Sequence, residues 1–194
     1  RDRGEDLSER VLELKQSTLD KGDKDKVTAK AKELFNKYKE EIDTYDNFEK
    51  AVAFFVMNKC SFSGLTENST FSQTASNSNF SLVGAKKLKD FSKIIKNWKI
   101  TNIDYSEVMS ADGSDDTFIF LDPPYDIKDF LYGKNREIHR SFDHDLFAEH
   151  VYKCDHTFMI TYNQNHKLML LYQDYELNFW NLRYSMAHRD DNVK

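Results

Sequence analysis

Cysteine and proline are scarce in this chain, with two of each in 194 residues. Cys60 and Cys154 are too few for a disulfide framework, and neither sits at a metal-ligand spacing. The six histidines show no paired ligand pattern, so no zinc centre is expected and a reduced, cytoplasmic setting fits. Glycine is also sparse: Gly4, Gly22, Gly64, Gly84, Gly113 and Gly133 stand singly, which leaves no glycine-rich loop to cradle a nucleotide-like cofactor. Positive charge is not in excess either. Lys and Arg number 28 against 33 Asp and Glu, a net charge of −5 that argues against a general nucleic-acid binder. No apolar run is long enough to span a membrane, and no secretory leader opens the sequence.

What is present is concentrated at the prolines. Pro123 and Pro124 are adjacent and follow the apolar run Thr117-Phe118-Ile119-Phe120-Leu121, with Asp122 before them and Tyr125 after. The run is short and rich in aromatic and β-branched residues, as a buried strand should be. Proline cannot donate to a sheet ladder and drives the preceding residue out of the helical region. The strand therefore ends at Asp122 and a stiff corner follows at its C-terminal edge, where ligands bind in open α/β sheets. The corner offers a carboxylate, proline carbonyls without competing N–H groups, and an aromatic ring.

These groups suit an exocyclic amine on a planar base. Such an amine is a poor nucleophile because its lone pair is delocalised into the ring. Acceptors on both N–H bonds favour a more pyramidal nitrogen and free the lone pair. Asp122 could supply one acceptor and the Pro123 carbonyl the other, both fixed before the substrate arrives. Tyr125 could stack on the base, a contact worth roughly 1–3 kcal/mol. That would offset much of the cost, about a few kcal/mol, of flipping a base out of a duplex.

Asp122-Pro123-Pro124-Tyr125 after a hydrophobic strand resembles the catalytic motif of S-adenosylmethionine-dependent amino-methyltransferases, and the aspartate is similar to that of the adenine-N6 enzymes. Upstream, Asn58-Lys59-Cys60-Ser61-Phe62-Ser63-Gly64 is similar to the Asn-x-x-Ser-Phe-Ser-Gly segment that some Dam-like (D12 class) adenine methyltransferases carry in or beside their DNA-recognition region. Asn102-Ile103-Asp104-Tyr105 resembles the Asp-aromatic pair that contacts the cofactor's adenosine moiety in that class. The order of the three matches that of the class and covers positions from about 50 to 125. The resemblance implies DNA contacts from Asn58, Ser61, Phe62, Ser63 and Gly64, and cofactor contacts from Asp104, Tyr105 and Asp122. It also implies catalytic roles for Asp122, Pro123, Pro124 and Tyr125. The departure is the missing aromatic-glycine loop. With an opening Arg1-Asp2-Arg3-Gly4 that reads as interior sequence, it points to the C-terminal part of a longer enzyme.

From Gly84 to Lys99 six lysines (Lys86, Lys87, Lys89, Lys93, Lys96, Lys99) face one acid, Asp90. Leu88, Phe91, Ile94, Ile95 and Trp98 recur at helical spacing, which predicts an amphipathic helix with a basic face. Its lysines, Lys86 and Lys87 among them, either contact phosphates or form a solvated face. Leu7 to Asp20 and Lys24 to Ile42 read as amphipathic helices split by Lys21-Gly22-Asp23, and Asp46 as the cap of a third through Met57. Thr66 to Ser81 is a Ser/Thr/Asn-rich loop by composition, suited to phosphates and base edges.

Asp126 to Arg140 is a polar, basic loop. Asp143 caps a helix from Leu146 to Cys154, Thr157 to Tyr162 is the next strand, His166 to Leu171 a helix, and Tyr175 to Tyr184 a terminal strand or hairpin. The expected fold is α/β: residues 1–99 a mainly helical target-recognition region, and 100–194 the second half of a Rossmann-like sheet. The expected activity is methyl transfer from S-adenosylmethionine to the adenine N6 amine of double-stranded DNA. An RNA-directed relative and a catalytically silent DNA-binding subunit are the alternatives.

Overall fold

The computed structural model describes residues 2–64, 70–114, 116–125 and 142–181. The chain divides into two compact units, Arg1–Lys99 and Ile100–Lys194. Among the described residues no helix is long and apolar enough to cross a membrane.

The first unit is helical. Helix α1 spans Gly4–Thr18, α2 Lys24–Glu41, α3 Asn47–Cys60, α4 Gln73–Ser78 and α5 Leu82–Ile94. Caps set the starts: Asp23 accepts from the amides of Asp25 and Lys26, and Asp46 from that of Glu49. The helices close over Val11, Phe35, Tyr38, Val52, Val56, Met57 and Phe80. Across this core Tyr38 donates to Glu49 Oε1 at 2.6 Å, and Arg10 reaches the same oxygen at 3.3 Å. Burial first, and then the bond to Glu49, holds the Tyr38 phenol well above its ordinary range.

One expectation fails here. The predicted Thr66–Ser81 loop contains α4, because Ser72 caps it through the Ala75 amide and Phe71 and Phe80 anchor its flanks. Phe71 packs edge-on against Phe35 at 5.8 Å, and Phe80 is fully buried. The lysine-rich helix forms as read, over Leu82–Ile94, with Lys86 and Lys87 exposed. It packs through Ala85, whose carbonyl accepts from the Ser8 hydroxyl at 2.9 Å, and Ser92 lies against Gly4. Small residues allow close approach to α1; of the apolar stripe Leu88 packs against the core, while Phe91, Ile94 and Trp98 are exposed.

The second unit is α/β. Helix α6 spans Tyr105–Met109, strand β1 Phe118–Leu121, helix α7 His144–Tyr152, strand β2 Thr157–Ile160 and helix α8 His166–Leu171. The strands pair in parallel, Phe118 opposite Thr157 through to Leu121 opposite Ile160. Parallel pairing requires a crossover, and α7 lies on it, capped by Asp143. Met109, Leu121, Phe147, Val151, Leu168 and Tyr172 form the core.

The predicted strand from Tyr175 to Tyr184 is not formed over residues 175–181, and its remaining positions lie outside the described residues. Tyr175 instead packs its ring on Tyr152 and Phe158, at 5.2 and 5.3 Å, while Phe179 and Trp180 are exposed. Alternating aromatic residues make a strand only where a ladder partner exists. The predicted Asp126–Arg140 loop also lies outside the described residues.

Candidate functional site

At the C-terminal end of β1 the backbone leaves the sheet at Asp122, which is exposed, while Pro123 is buried and Pro124 and Tyr125 are half-buried. The register puts the residue after Ile160 beside the one after Leu121. The Thr161 amide donates to the Leu121 carbonyl at 3.0 Å, extending the ladder by one bond. The Thr161 hydroxyl donates to Asp122 Oδ1 at 2.7 Å. One carboxylate oxygen is thereby fixed, and Oδ2 has no partner among the described residues. Buried Pro123 cannot swing, so its carbonyl and the carboxylate are held at adjacent positions.

Behind this corner β2 continues into Tyr162, whose hydroxyl lies 2.9 Å from His144 Nδ1. The Tyr162 ring stands 5.9 Å from that of Tyr172, whose phenol burial pushes up to about 12. His144 itself is nearly buried at the first position of α7 and stacks edge-on with Phe142. Thr161 and His144 carry no signal in the sequence by themselves. Thr161 becomes legible only once parallel pairing of the two apolar runs is assumed.

Asp104 caps α6: its Oδ1 accepts from the amide of Ser106 at 2.9 Å and from the Ser106 hydroxyl. These bonds hold the exposed Asp104 carboxyl below its ordinary range, so it is an anion at neutral pH. Tyr105 is half-buried, with ring centroids 5.8 Å from Phe142, 5.1 Å from Phe147 and 5.7 Å from His150.

In the first unit the segment Asn58 to Gly64 forms a tight turn at the end of α3. Asn58 Nδ2 donates to the Gly64 carbonyl at 2.8 Å. Gly64 sits at φ +71°, a conformation that disfavours any side chain. Ser61 is buried, its hydroxyl donates to the Asn58 carbonyl, and its backbone makes an antiparallel bridge with Phe71. Phe62 projects outward and is 62% exposed. The side chain of Ser63 lies outside the described residues. Lys86 and Lys87 are exposed on α5.

No curated protein matches the chain closely enough to stand as a relative. A family model does match, over residues 4–186, and it describes the D12 class N6 adenine-specific DNA methyltransferases. Covering nearly the whole chain, that match shows that this protein belongs to the D12 class, enzymes that transfer a methyl group from S-adenosylmethionine to the N6 amine of adenine in DNA.

Proposed function

We propose that Asp122 and the Pro123 carbonyl accept the two N–H bonds of a flipped adenine amine, with Tyr125 stacked on the base and Pro124 stiffening the turn. The observation that carries this reading is the Thr161–Asp122 bond at the shared end of two parallel strands. It fixes one carboxylate oxygen and leaves the other to accept from the amine. Preorganised acceptors of this kind cost no reorganisation as the nitrogen becomes pyramidal. Asp122 and the Pro123 carbonyl would hold the amine with its lone pair facing the methyl donor. As the N–C bond formed and the C–S bond broke, the electron pair would stay on the departing sulfur, and the amine proton would pass to the carboxylate or solvent. S-adenosylmethionine, when bound, supplies that electrophilic methyl group.

For the cofactor, the exposed and anionic Asp104 suits the ribose hydroxyls, and Tyr105 and Asp122 complete the proposed contacts. Residues 1–99 serve as the recognition region and 100–194 as the second half of a Rossmann-like sheet, in which β1 and β2 are neighbours. In the recognition region Phe62 reaches DNA from a turn whose shape is set by Asn58, Ser61 and Gly64, and Ser63 is assigned to the same contact by its place in the motif. Lys86 and Lys87 contact phosphates.

Asp122→Ala tests the reading. Wild-type protein with tritiated S-adenosylmethionine and unmethylated duplex should yield N6-methyladenine. The variant should lose transfer while keeping its affinity for the duplex. Full transfer by the variant would refute the assignment.

A further inference from the structure

Helices α3 and α5 of the first unit flank an open groove of about 390 Å³. One wall is Phe54, Phe55, Asn58 and Lys59, the other Gly84, Lys87, Leu88 and Phe91. Each set repeats at helical spacing, so each is a single helix face turned toward the other. The volume falls in the range that accommodates small planar ligands. Phe54 and Phe91 are 56% and 58% exposed, so their ring faces are open to a ligand in the groove.

Charge points to the occupant. Lys89 pairs with Glu5 and Lys93 with Asp90 on the same helix, whereas Lys59 and Lys87 have no carboxylate partner among the described residues. Lys59 Nζ instead lies 5.8 Å from the Phe55 ring. The two lysines that line the groove are therefore cations available to an anion. An apolar protein surface seated there would desolvate both without compensation. A nucleotide would not: a base meets the phenylalanine faces while its phosphates meet the lysines. A fully stacked duplex presents no base face, so the ligand must be unstacked.

We infer that the α3–α5 groove binds one unstacked nucleotide of the DNA, its base against Phe54 and Phe91 and its flanking phosphates on Lys59 and Lys87. This rests on the proposed assignment of residues 1–99 to DNA contact and adds a base-binding site to it. The adenine that is methylated belongs to the Asp122 corner. The groove would take a different base, one released where the helix is distorted.

The test uses the full chain and two fluorescent probes, a paired duplex and the same duplex with one unpaired thymidine. Wild-type protein should prefer the bulged probe. Phe91→Ala should weaken bulged-probe binding roughly 5- to 150-fold, the loss of one base stack, and Phe91→Tyr should retain it. Phe91 is exposed, so unfolding is not expected, and a thermal melt checks this. Lys59→Gln with Lys87→Gln should lower the salt slope of log affinity by about 1 to 2, since each phosphate no longer neutralised by a lysine removes one unit or slightly less. Bulged-probe affinity unchanged in both Phe91→Ala and Phe54→Ala, with wild type still binding, would overturn the groove and leave DNA recognition standing. Failure of wild type to bind either probe would overturn both. Self-association that is abolished by Phe91→Ala would identify a protein interface and overturn the nucleotide assignment.

Discussion

Replacing Thr161 with valine tests how the acceptor corner works, because it removes one hydroxyl and keeps the volume nearly constant. The ladder bond from the Thr161 amide to the Leu121 carbonyl, 3.0 Å, survives. Only the 2.7 Å bond to Asp122 Oδ1 is removed. A hydrogen bond to a charged acceptor contributes about 1.5–3 kcal/mol where solvent is excluded. Asp122 is exposed and water can replace the hydroxyl, so the loss should be nearer about 1 kcal/mol. Expressed in the transition state, that is roughly a fivefold fall in kcat, with about 150-fold as an upper bound if bound substrate excludes water. The assay is steady-state tritiated-methyl transfer to duplex DNA, with affinity for the duplex measured in parallel. Duplex affinity should not change, because the carboxylate is only misoriented. Thr161→Ser restores the donor and should recover most of the rate. A Thr161→Val enzyme with wild-type kcat would refute the claim that this bond positions the carboxylate.

Gly64→Ala should cost about 1–2 kcal/mol in urea unfolding, because φ at this position is +71° and an added Cβ would lie 3.2 Å from Asn58 Nδ2. If the turn presents Phe62 to DNA, duplex affinity should fall as well, and affinity unchanged at that strain would detach the turn from recognition. Burial pushes the Cys60 thiol up to about 12, against a weak opposing pull from Lys15, so iodoacetamide at pH 8 should label the half-buried Cys154 first. Labelling of Cys60 should require denaturant. Tyr172 is raised from 10.0 to about 12 mainly by burial, so the folded state keeps a proton that the unfolded state loses. The stability it contributes is complete below pH 10 and is lost as pH rises from 10 towards 12, which unfolding midpoints measured across that window should show.

Local chemistry makes the helices of the first unit readable and leaves their packing unreadable. Asp46 and Asp143 cap where short-range rules place them, since a cap needs only a carboxylate and the amides two or three residues on. Helix α4 escapes such rules because its Ser/Thr/Asn composition is that of a loop. What stabilises it is Phe71 on Phe35 and Phe80 in the core, contacts with distant residues. The buried face of α5 is hidden for a related reason. Hydrophobic periodicity identifies the largest apolar stripe, whereas close approach to α1 selects Ala85 and Ser92, opposite Ser8 and Gly4. Of the apolar stripe, Leu88 packs against the core and also lines the α3–α5 groove, where Phe91 joins it.

The corner at Asp122 is legible for a different reason: proline acts on backbone geometry within one residue, so no tertiary knowledge is needed to end β1 there. Its partner Thr161 lies 39 positions away, and only the parallel register connects them. Had the two apolar runs paired antiparallel, Leu121 would face the start of β2, and Thr161 would lie at the far end of the ladder from Asp122. The parallel arrangement is what gathers both strand ends, and hence both side chains, on one edge. The same register places Tyr162 next, bonded to His144 at the start of α7. A motif can thus point to the proposed acceptor from sequence, but the group that bonds Asp122 is specified by topology. For this reason the rate of Thr161→Val, more than that of Asp122→Ala, bears on whether the sheet itself preorganises the site.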